Sequence, residues 1–104
     1  MVSLRITRTS TPTRFEWDPR KADINLRRHG VPFERASKAF RDPFAVEWID
    51  DRGEQGEERI NLLGLCDGVL LPVTCTERGE AIRLISARRA ERHEQNRYVR
   101  ETSS

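Results

Sequence analysis

The sequence predicts an α+β fold, with two N-terminal helices and one C-terminal helix packed on a small antiparallel β-sheet. Two sets of helix start and stop signals lie before residue 44, and four short apolar runs separated by turn residues follow them. An arginine-rich segment with few large apolar residues ends the chain. At 104 residues, the chain is expected to form one domain with a modest core.

The first predicted elements are a short strand at 15–17 and a helix that begins at Asp18. Asp18 is a typical N-cap, and Pro19 suits the first helical position because the N–H that it lacks would be unsatisfied there anyway. Gly30 supplies the left-handed residue that ends the helix after His29. The candidates for its buried side are Ala22 and Leu26, with Ile24 or Asn25.

A second helix is predicted to open at Val31-Pro32 and to end at Asp42-Pro43. Four residues have the i, i+3, i+4, i+7 spacing of one helical face: Phe33, Ala36, Ser37 and Phe40. Because this spacing explains Phe33 and Phe40 by itself, we expect both rings in the core rather than stacked on a ligand.

Four more strands are predicted as an antiparallel meander, at 44–49, 59–65, 69–76 and 81–85. Asp67-Gly68 lies between two apolar runs and is a strong hairpin signal. Turns are also expected at 51–53 and 78–80. Pro72 has no backbone N–H and is normally confined to a sheet edge or a bulge, which argues against the central position that the meander gives its strand.

The last helix is predicted to begin at Ser86, as its N-cap, and to run to about Arg100. Few residues are available to dock it on the rest of the fold: Ala87, Ala90 and Tyr98. Residues 1–13, rich in Ser, Thr and Arg, are expected to be a flexible leader. Residues 14–100 would then form the domain, and residues 101–104 would fray.

The composition limits the classes of function. Of the 19 Lys and Arg residues, 17 are arginine, a bias that suits planar recognition of phosphate or carboxylate. Segment 47–58 is acidic, whereas segment 77–100 carries seven Arg against four Glu. The most apolar stretch, 60–73, is interrupted by polar residues and falls short of a membrane span. No membrane association is therefore expected. Because the sequence shows neither a leading signal segment nor a disulfide framework, we expect a reducing, cytoplasmic location.

Metal and cofactor motifs are absent from the sequence. Cys66 and Cys75 lie in apolar surroundings, without the spacing of a zinc site or a disulfide framework. Glycine-rich phosphate loops, Walker patterns and nucleophile elbows are missing as well. The sequence therefore predicts neither a bound metal nor a cofactor.

Two strand arginines are predicted to be half-buried. Arg83 shares a strand face with the apolar residues Ala81 and Ile85, and Arg59 directly precedes an apolar run. A half-buried guanidinium needs an anionic partner, which is either a carboxylate of the fold or a phosphate from outside.

The pair Glu77-Arg78 would bring a carboxylate and a guanidinium to the rim of the sheet. Metal-free RNA cleavage uses such groups, because a 2′-hydroxyl must lose a proton while negative charge builds on the phosphate. An ordinary exposed turn pair explains the same two residues. For His93, one helical turn from Arg89, proton shuttling and simple surface exposure both remain open.

Four motifs, in this order and spacing, resemble the BrnT family of bacterial type II toxins. They are FEWDPRKADINLRRHGVPFERA from Phe15, FRDP at 40–43, TER at 76–78, and IRLISARRA followed by Tyr98. The resemblance implies a compact RelE-like ribonuclease fold. It also implies a toxin that inhibits translation by cutting RNA without a metal, through attack of the 2′-hydroxyl on the adjacent phosphate.

Carried onto this sequence, the resemblance implies a set of functional residues. Those expected in catalysis are Arg59, Glu77, Arg78, Arg83 and Arg88, with Glu77 as a candidate base. Arg89 and Tyr98 are expected to contact RNA, and His93 is placed with them because it lies one helical turn from Arg89. The implied partners are an RNA substrate, free or on the ribosome, and a BrnA-like antitoxin through which the complex would bind operator DNA.

A second class of function is open from the residues alone. The basic C-terminal segment also fits a non-enzymatic binding module that engages an acidic protein or a nucleic acid. Loss of RNA cleavage on single arginine substitutions would separate the two.

Overall fold

The structure, a computed structural model, describes residues 14–50 and 58–103. Its elements in chain order are β1 (Arg14–Glu16), α1 (Pro19–His29), α2 (Phe33–Lys38), a 3-10 helix (Ala39–Arg41), β2 (Val46–Asp50), β3 (Arg59–Cys66), β4 (Val69–Arg78), β5 (Ala81–Ala87) and α3 (Arg92–Thr102). The α+β class is confirmed. The predicted leader, 1–13, and the predicted turn at 51–53 lie outside the described residues.

The five strands form one mixed sheet in the order β1-β5-β4-β3-β2. Strands β2 to β5 are antiparallel neighbours, as predicted. The prediction of a wholly antiparallel sheet is wrong for β1, which pairs in parallel with β5 through Phe15 and Ile82. No tight turn joins these two strands, so local sequence does not fix their relative direction.

One face of the sheet, which we call the core face, is covered by α1, α2 and the 3-10 helix. Its strand residues are Ile60, Leu62, Leu71, Val73, Cys75, Ile82, Leu84 and Ala87. Phe33, Ala36 and Phe40 are buried against them, as predicted. The 3-10 helix lies so close to β3 that a Cβ atom at Gly64 would collide with the carbonyl oxygen of Ala39.

The opposite face, which we call the outer face, carries the alternate strand residues. Val46 and Leu63 are register partners on this face, and both are fully buried. α3 covers this end, since the Arg97 guanidinium lies 4.0 Å from the centroid of the Trp48 ring. The sheet is therefore sandwiched between α1 and α2 on one face and α3 on part of the other.

The α1 helix has the predicted ends. The carboxylate of Asp18 accepts a hydrogen bond from the Arg20 amide at 2.8 Å, and Gly30 has φ 72°. Its buried side is confirmed at Ala22, which packs against the core, and at Asn25, whereas the prediction is wrong for Leu26, which is 46% exposed.

Asn25 joins α1 to the end of β5. Its Nδ2 donates to the carbonyl oxygens of Val31 and Ala87, at 3.0 and 2.8 Å. Its Oδ1 accepts from the Ala87 amide at 3.1 Å. An apolar side chain at this position would leave buried backbone groups unsatisfied, which explains why the amide rather than Leu26 faces inward.

The predicted hairpin at Asp67-Gly68 is confirmed, with φ 51° and 80° at its two central residues. Pro72 lies on the central strand β4, the position that the meander predicted, two residues before the register shift between Thr74 and Cys75. The carbonyl oxygen of Pro72 accepts a hydrogen bond from the Arg88 amide, just past the end of β5. Because the carbonyl and the nitrogen of one strand residue point to the same side, the Pro72 nitrogen faces away from β3. Pro72 thus costs no hydrogen bond between β3 and β4.

The C-terminal helix begins at Arg92, not at Ser86, which is a strand residue. Asn25 holds Ala87, and the Ala90 amide donates to Leu70, so the chain remains extended past the predicted start. α3 runs to Thr102. Within the described ranges, no helix is long and apolar enough to cross a membrane.

We expect Asn25→Asp to destabilise the fold by about 3 kcal/mol or more, because a buried carboxylate would then face two carbonyl oxygens. Urea denaturation measures this change. Ile24→Ala, at the neighbouring exposed position, is the control and should change the free energy of unfolding by no more than about 0.5 kcal/mol. Equal stabilities of the two variants would contradict the assigned role of Asn25.

Candidate active site

A row of polar side chains crosses the outer face of the sheet, one from each strand. Register partners define it: Asp50 lies opposite Arg59, Thr76 opposite Arg83, and Arg83 opposite Glu16. The register that pairs Ile60 with Cys75 places Arg59 opposite Thr76 on the neighbouring strand. We call Asp50, Arg59, Thr76, Arg83 and Glu16 the charged row. With strands about 4.8 Å apart, its two guanidinium-bearing strands are roughly 10 Å apart.

Both arginines of the charged row are half-buried, as the strand pattern predicted. The Nε atom of Arg59 is buried and has no hydrogen-bond partner among the residues that the structure describes. In the described part of the chain, no hydrogen bond or ion pair engages the Arg83 guanidinium. A half-buried guanidinium favours an anionic partner, and a phosphate has the charge and the geometry to be one.

Side-chain hydrogen bonds brace the sheet next to the charged row. Thr74 Oγ1 donates to Asn61 Oδ1 at 2.8 Å, and Asn61 Nδ2 donates to Asp50 Oδ2 at 3.1 Å. Thr76 Oγ1 donates to the carbonyl oxygen of Glu58 at 2.9 Å. These contacts fix Asp50 and Thr76 in place, so the row is held by rigid neighbouring strands.

Glu77 and Arg78 lie at the exposed end of β4. Strand alternation puts Arg78 on the outer face with the charged row and directs Glu77 to the core-face side, where its register partner is Ile82. The two residues are therefore adjacent in sequence but point in opposite directions.

Arg88 is engaged by a carboxylate of α3. Its Nη1 and Nη2 donate to Oε1 and Oε2 of Glu94, each at 2.8 Å. The Glu91 amide also donates to Glu94 Oε1 at 2.9 Å, so that one carboxylate closes the first turn of α3 and binds the preceding arginine.

The Arg88–Glu94 pair changes the ionisation of both groups. Burial alone raises the pKa of Glu94, but the hydrogen bonds from Arg88 and the Glu91 amide outweigh it, so its pKa lies below the ordinary value. The hydrogen bond to Glu94 raises the pKa of Arg88. The pair is thus ionised at neutral pH.

His93 and Arg89 are both exposed near the start of α3. Donor atoms of Glu91, His93 and Glu94 lie within 4.8 Å of one another, a spacing that a metal ion could use. Both oxygens of Glu94 already accept charged hydrogen bonds from Arg88, however. A cation there would have to displace that pair.

Tyr98 lies far from the charged row. Its hydroxyl donates to Asp42 Oδ2 at 2.5 Å, which latches α3 to the segment before β2. Of the residues predicted for catalysis, Arg59, Arg78 and Arg83 share one face, whereas Glu77 points away and Arg88 is bound to Glu94.

Sequence reasoning missed the carboxylates of the charged row, Glu16 and Asp50. Each belongs to a strand whose neighbour is distant in sequence, so only pairing brings it beside an arginine. The polar position in the alternating Phe15-Glu16-Trp17 was the one available signal for Glu16. The bond between Arg88 and Glu94, six positions apart, depends on the extended segment before α3, whereas the sequence predicted a continuous helix there.

Comparison with known families bears on this site. Residues 17–94 match the family described as the ribonuclease toxin, BrnT, of type II toxin-antitoxin systems. The chain belongs to the BrnT family. The resemblance noted in the sequence is therefore confirmed, and the match contains four of the five residues of the charged row. No curated protein matches the chain.

Membership in the BrnT family identifies the protein as a ribonuclease toxin of a type II toxin-antitoxin system. Such a toxin has an RNA substrate and an antitoxin partner. The BrnT match begins at Trp17, just after Glu16, so the carboxylate beside Arg83 lies at its margin.

Glu94→Gln should lower the free energy of unfolding by about 1 to 2 kcal/mol, since the amide retains an acceptor for Glu91 but loses the charged pair with Arg88. The matched control is Asp23→Asn, which removes an exposed ion pair to Arg27 of 3.0 Å and should cost no more than about 0.5 kcal/mol. Thermal and urea unfolding measure both. Equal costs would mean that Arg88 and Glu94 are coupled no more than a surface pair.

The same pair predicts a pH dependence. Because the pKa of folded Glu94 is lowered, its contribution is present above the unfolded value of about 4.3 and is lost as the pH falls through the folded pKa. The stability difference between the unmodified chain and Glu94→Gln should therefore shrink from pH 7 to below about pH 4. A constant difference over that range would contradict this assignment.

Proposed function

We propose that this BrnT-family toxin is a metal-independent endoribonuclease that inhibits translation by cleaving RNA on the outer face of its sheet. The observation that carries the proposal is the placement of two half-buried guanidinium groups, Arg59 and Arg83, on one face of the sheet, with the buried Nε of Arg59 unpaired among the described residues. A backbone phosphate supplies the charge that they require.

The reaction needs three things from the protein. A base takes the proton of the ribose 2′-hydroxyl, cations stabilise the charge that builds on the phosphate, and the departing 5′-oxygen receives a proton. The products are a 2′,3′-cyclic phosphate and a free 5′-hydroxyl. Arg59 and Arg83 flank Thr76, and a phosphate between them would contact both guanidinium groups.

Two carboxylates compete for the role of base. Glu77 is the base expected from the resemblance, and it would act if the exposed end of β4 turned its side chain to the outer face. Glu16 is the register partner of Arg83 and shares the face of the charged row. This geometry favours Glu16, while Arg78 is suited to hold the RNA backbone on the same face.

The other residues expected to act on RNA lie outside the charged row and have supporting roles in this proposal. Arg89 and His93 are exposed on the approach to α3 and would contact flanking nucleotides. Arg88 and Tyr98, bound to Glu94 and Asp42, would position α3 beside the site. Arg88 would reach a phosphate only by exchanging Glu94 for it.

The wider setting of the proposal follows from the family. We infer a RelE-like fold, since a mixed sheet with helices on one face and a C-terminal helix on the other suits that class. We also infer a cytoplasmic site of action, a BrnA-like antitoxin that neutralises the toxin, and operator binding by the complex through that antitoxin.

Arg83→Ala and Arg59→Ala should each lower the rate of RNA cleavage by a factor on the order of 10² to 10³, the usual cost of removing one preorganised donor. Cleavage is followed with purified toxin in EDTA, and the fragments should end in 2′,3′-cyclic phosphate. Arg20→Ala, an exposed cation on α1, is the matched control and should retain full activity.

Two outcomes would count against the proposal. Full cleavage by a folded Arg83→Ala variant would remove Arg83 from the reaction. Loss of activity in EDTA that Mg²⁺ restores would contradict metal independence.

Glu16→Gln and Glu77→Gln separate the two candidate bases. We expect Glu16→Gln to lower the rate on the order of 10²-fold or more and to abolish the acid limb of the pH–rate profile. Glu77→Gln should leave that limb unchanged. The reverse pattern would assign the base to Glu77.

A further inference from the structure

A second row of side chains runs beside the charged row on the outer face of the sheet. Trp48 lies opposite Asn61, which in turn lies opposite Thr74. Thr74 lies opposite Ser86 on β5. In β2, β3 and β4 these residues are two positions from members of the charged row, so the two rows share one face and lie about 7 Å apart. We call Trp48, Asn61, Thr74 and Ser86 the second row.

The C-terminal helix borders the second row on the side away from the charged row. α3 is bonded to Arg88, two residues past Ser86, and to Asp42, which precedes β2. From that side, the Arg97 guanidinium extends to 4.0 Å from the centroid of the Trp48 ring. The second row therefore lies between a helix and the proposed phosphate site.

A flat cationic platform lies at one end of the second row. It consists of the Arg97 guanidinium and the Trp48 indole, which are in cation–π contact. Both residues are half-buried, so α3 leaves part of each accessible to solvent. Across residues 14–50 and 58–103, no carboxylate forms an ion pair with Arg97. Indole rings and guanidinium planes are both surfaces on which RNA bases stack.

Asn61 has hydrogen-bonding groups that its contacts with described residues do not use. Its Nδ2 donates to Asp50 Oδ2 at 3.1 Å, and its Oδ1 accepts from Thr74 Oγ1 at 2.8 Å. A side-chain amide has two N–H donors and two acceptor lone pairs, so one of each is left for a ligand. Because the two existing bonds hold the amide in one orientation, it can distinguish the edges of different bases.

We propose that the second row and Arg97 form a subsite for one nucleobase of the RNA, next to the phosphate in the charged row. This inference rests on the proposed function. The base stacks on the platform of Arg97 and Trp48, and Asn61 bonds to its edge. The distance of about 7 Å between the rows is the size of one nucleotide, whose ribose joins the base to its phosphate.

A nucleobase fits the second row better than a protein segment does. Three of its four side chains are polar, so a protein partner would bury little apolar area there, whereas a base gains from stacking and from hydrogen bonds. The subsite has a consequence for cleavage. The charged row binds every phosphate alike, so the second row gives the toxin its preference for a base at one position beside the cleaved bond.

Binding is measured with short single-stranded RNAs that carry 2′-fluoro groups; they lack the attacking hydroxyl and cannot be cleaved. The chain has two tryptophans, and Trp17→Phe leaves Trp48 as the only fluorophore of this type. Trp17 packs edge-on against Phe33 in the core, away from the second row. The RNA should quench the Trp48 fluorescence. Removal of the base at each position in turn should weaken the affinity about tenfold at one of them, the usual effect of one stacked base.

Arg97→Ala in the Trp17→Phe background separates a base subsite from a simple helix contact. We expect the tenfold difference between intact and abasic RNA to fall to about twofold or less, because the base loses the guanidinium on which it stacks. Arg100→Ala removes the same charge from an exposed position of the same helix and should keep the tenfold difference. Thermal melting checks that each variant is folded.

Three results would overturn the subsite. The first is equal affinity for intact and abasic RNA at every position. The second is an Arg97→Ala variant that melts at a lower temperature but keeps the full base dependence, since Arg97 would then only dock α3 on the sheet. The third is the absence of Trp48 quenching by any of the uncleavable RNAs.

Cleavage assays distinguish this inference from the proposed function. Failure of the unmodified toxin to cleave ordinary RNA would refute the proposed function, while the uncleavable RNAs would still test the subsite. Cleavage without base-dependent binding would refute the subsite alone.

Discussion

The hydrogen bonds of Asn25 to Ala87 determine where the sheet ends and where the chain can turn. They connect the first helix to the last strand across 62 positions of sequence, and they satisfy both backbone groups of a buried residue. Because Ala87 is held in this way, the chain continues in extended form to Glu91. There the Glu94 carboxylate caps the start of α3 by accepting a hydrogen bond from the Glu91 amide, and it also binds Arg88.

The delayed start of α3 divides the outer face of the sheet. The helix crosses the end that holds Val46 and Leu63, and Tyr98 latches it to Asp42. The other end keeps the charged row, where Arg59 and Arg83 are half-buried among strand residues. One helix thus separates the apolar part of the outer face, at Val46 and Leu63, from the charged row.

The electrostatics of the two arginine groups follow from their neighbours. Arg88 is bound by both oxygens of Glu94, and the same carboxylate also caps the start of α3. Arg88 therefore stabilises the fold. Arg59 and Arg83 have as neighbours a threonine and carboxylates on adjacent strands, and within residues 14–50 and 58–103 the buried Nε of Arg59 has no acceptor. The three arginines were all predicted for one site, but their different neighbours give Arg88 a different role from Arg59 and Arg83.

The sequence alone determined the features that depend on neighbouring residues: the ends of α1 at Asp18 and Gly30, the buried faces of Phe33 and Phe40, the Asp67-Gly68 hairpin and the half-burial of Arg83. Family membership was also readable from motif order. Tertiary structure decided the parallel pairing of β1, the inward turn of Asn25, the start of α3 and the partner of Arg88. Each of these depends on a contact between residues distant in sequence, whose free energy outweighs local preference and leaves no periodic signal.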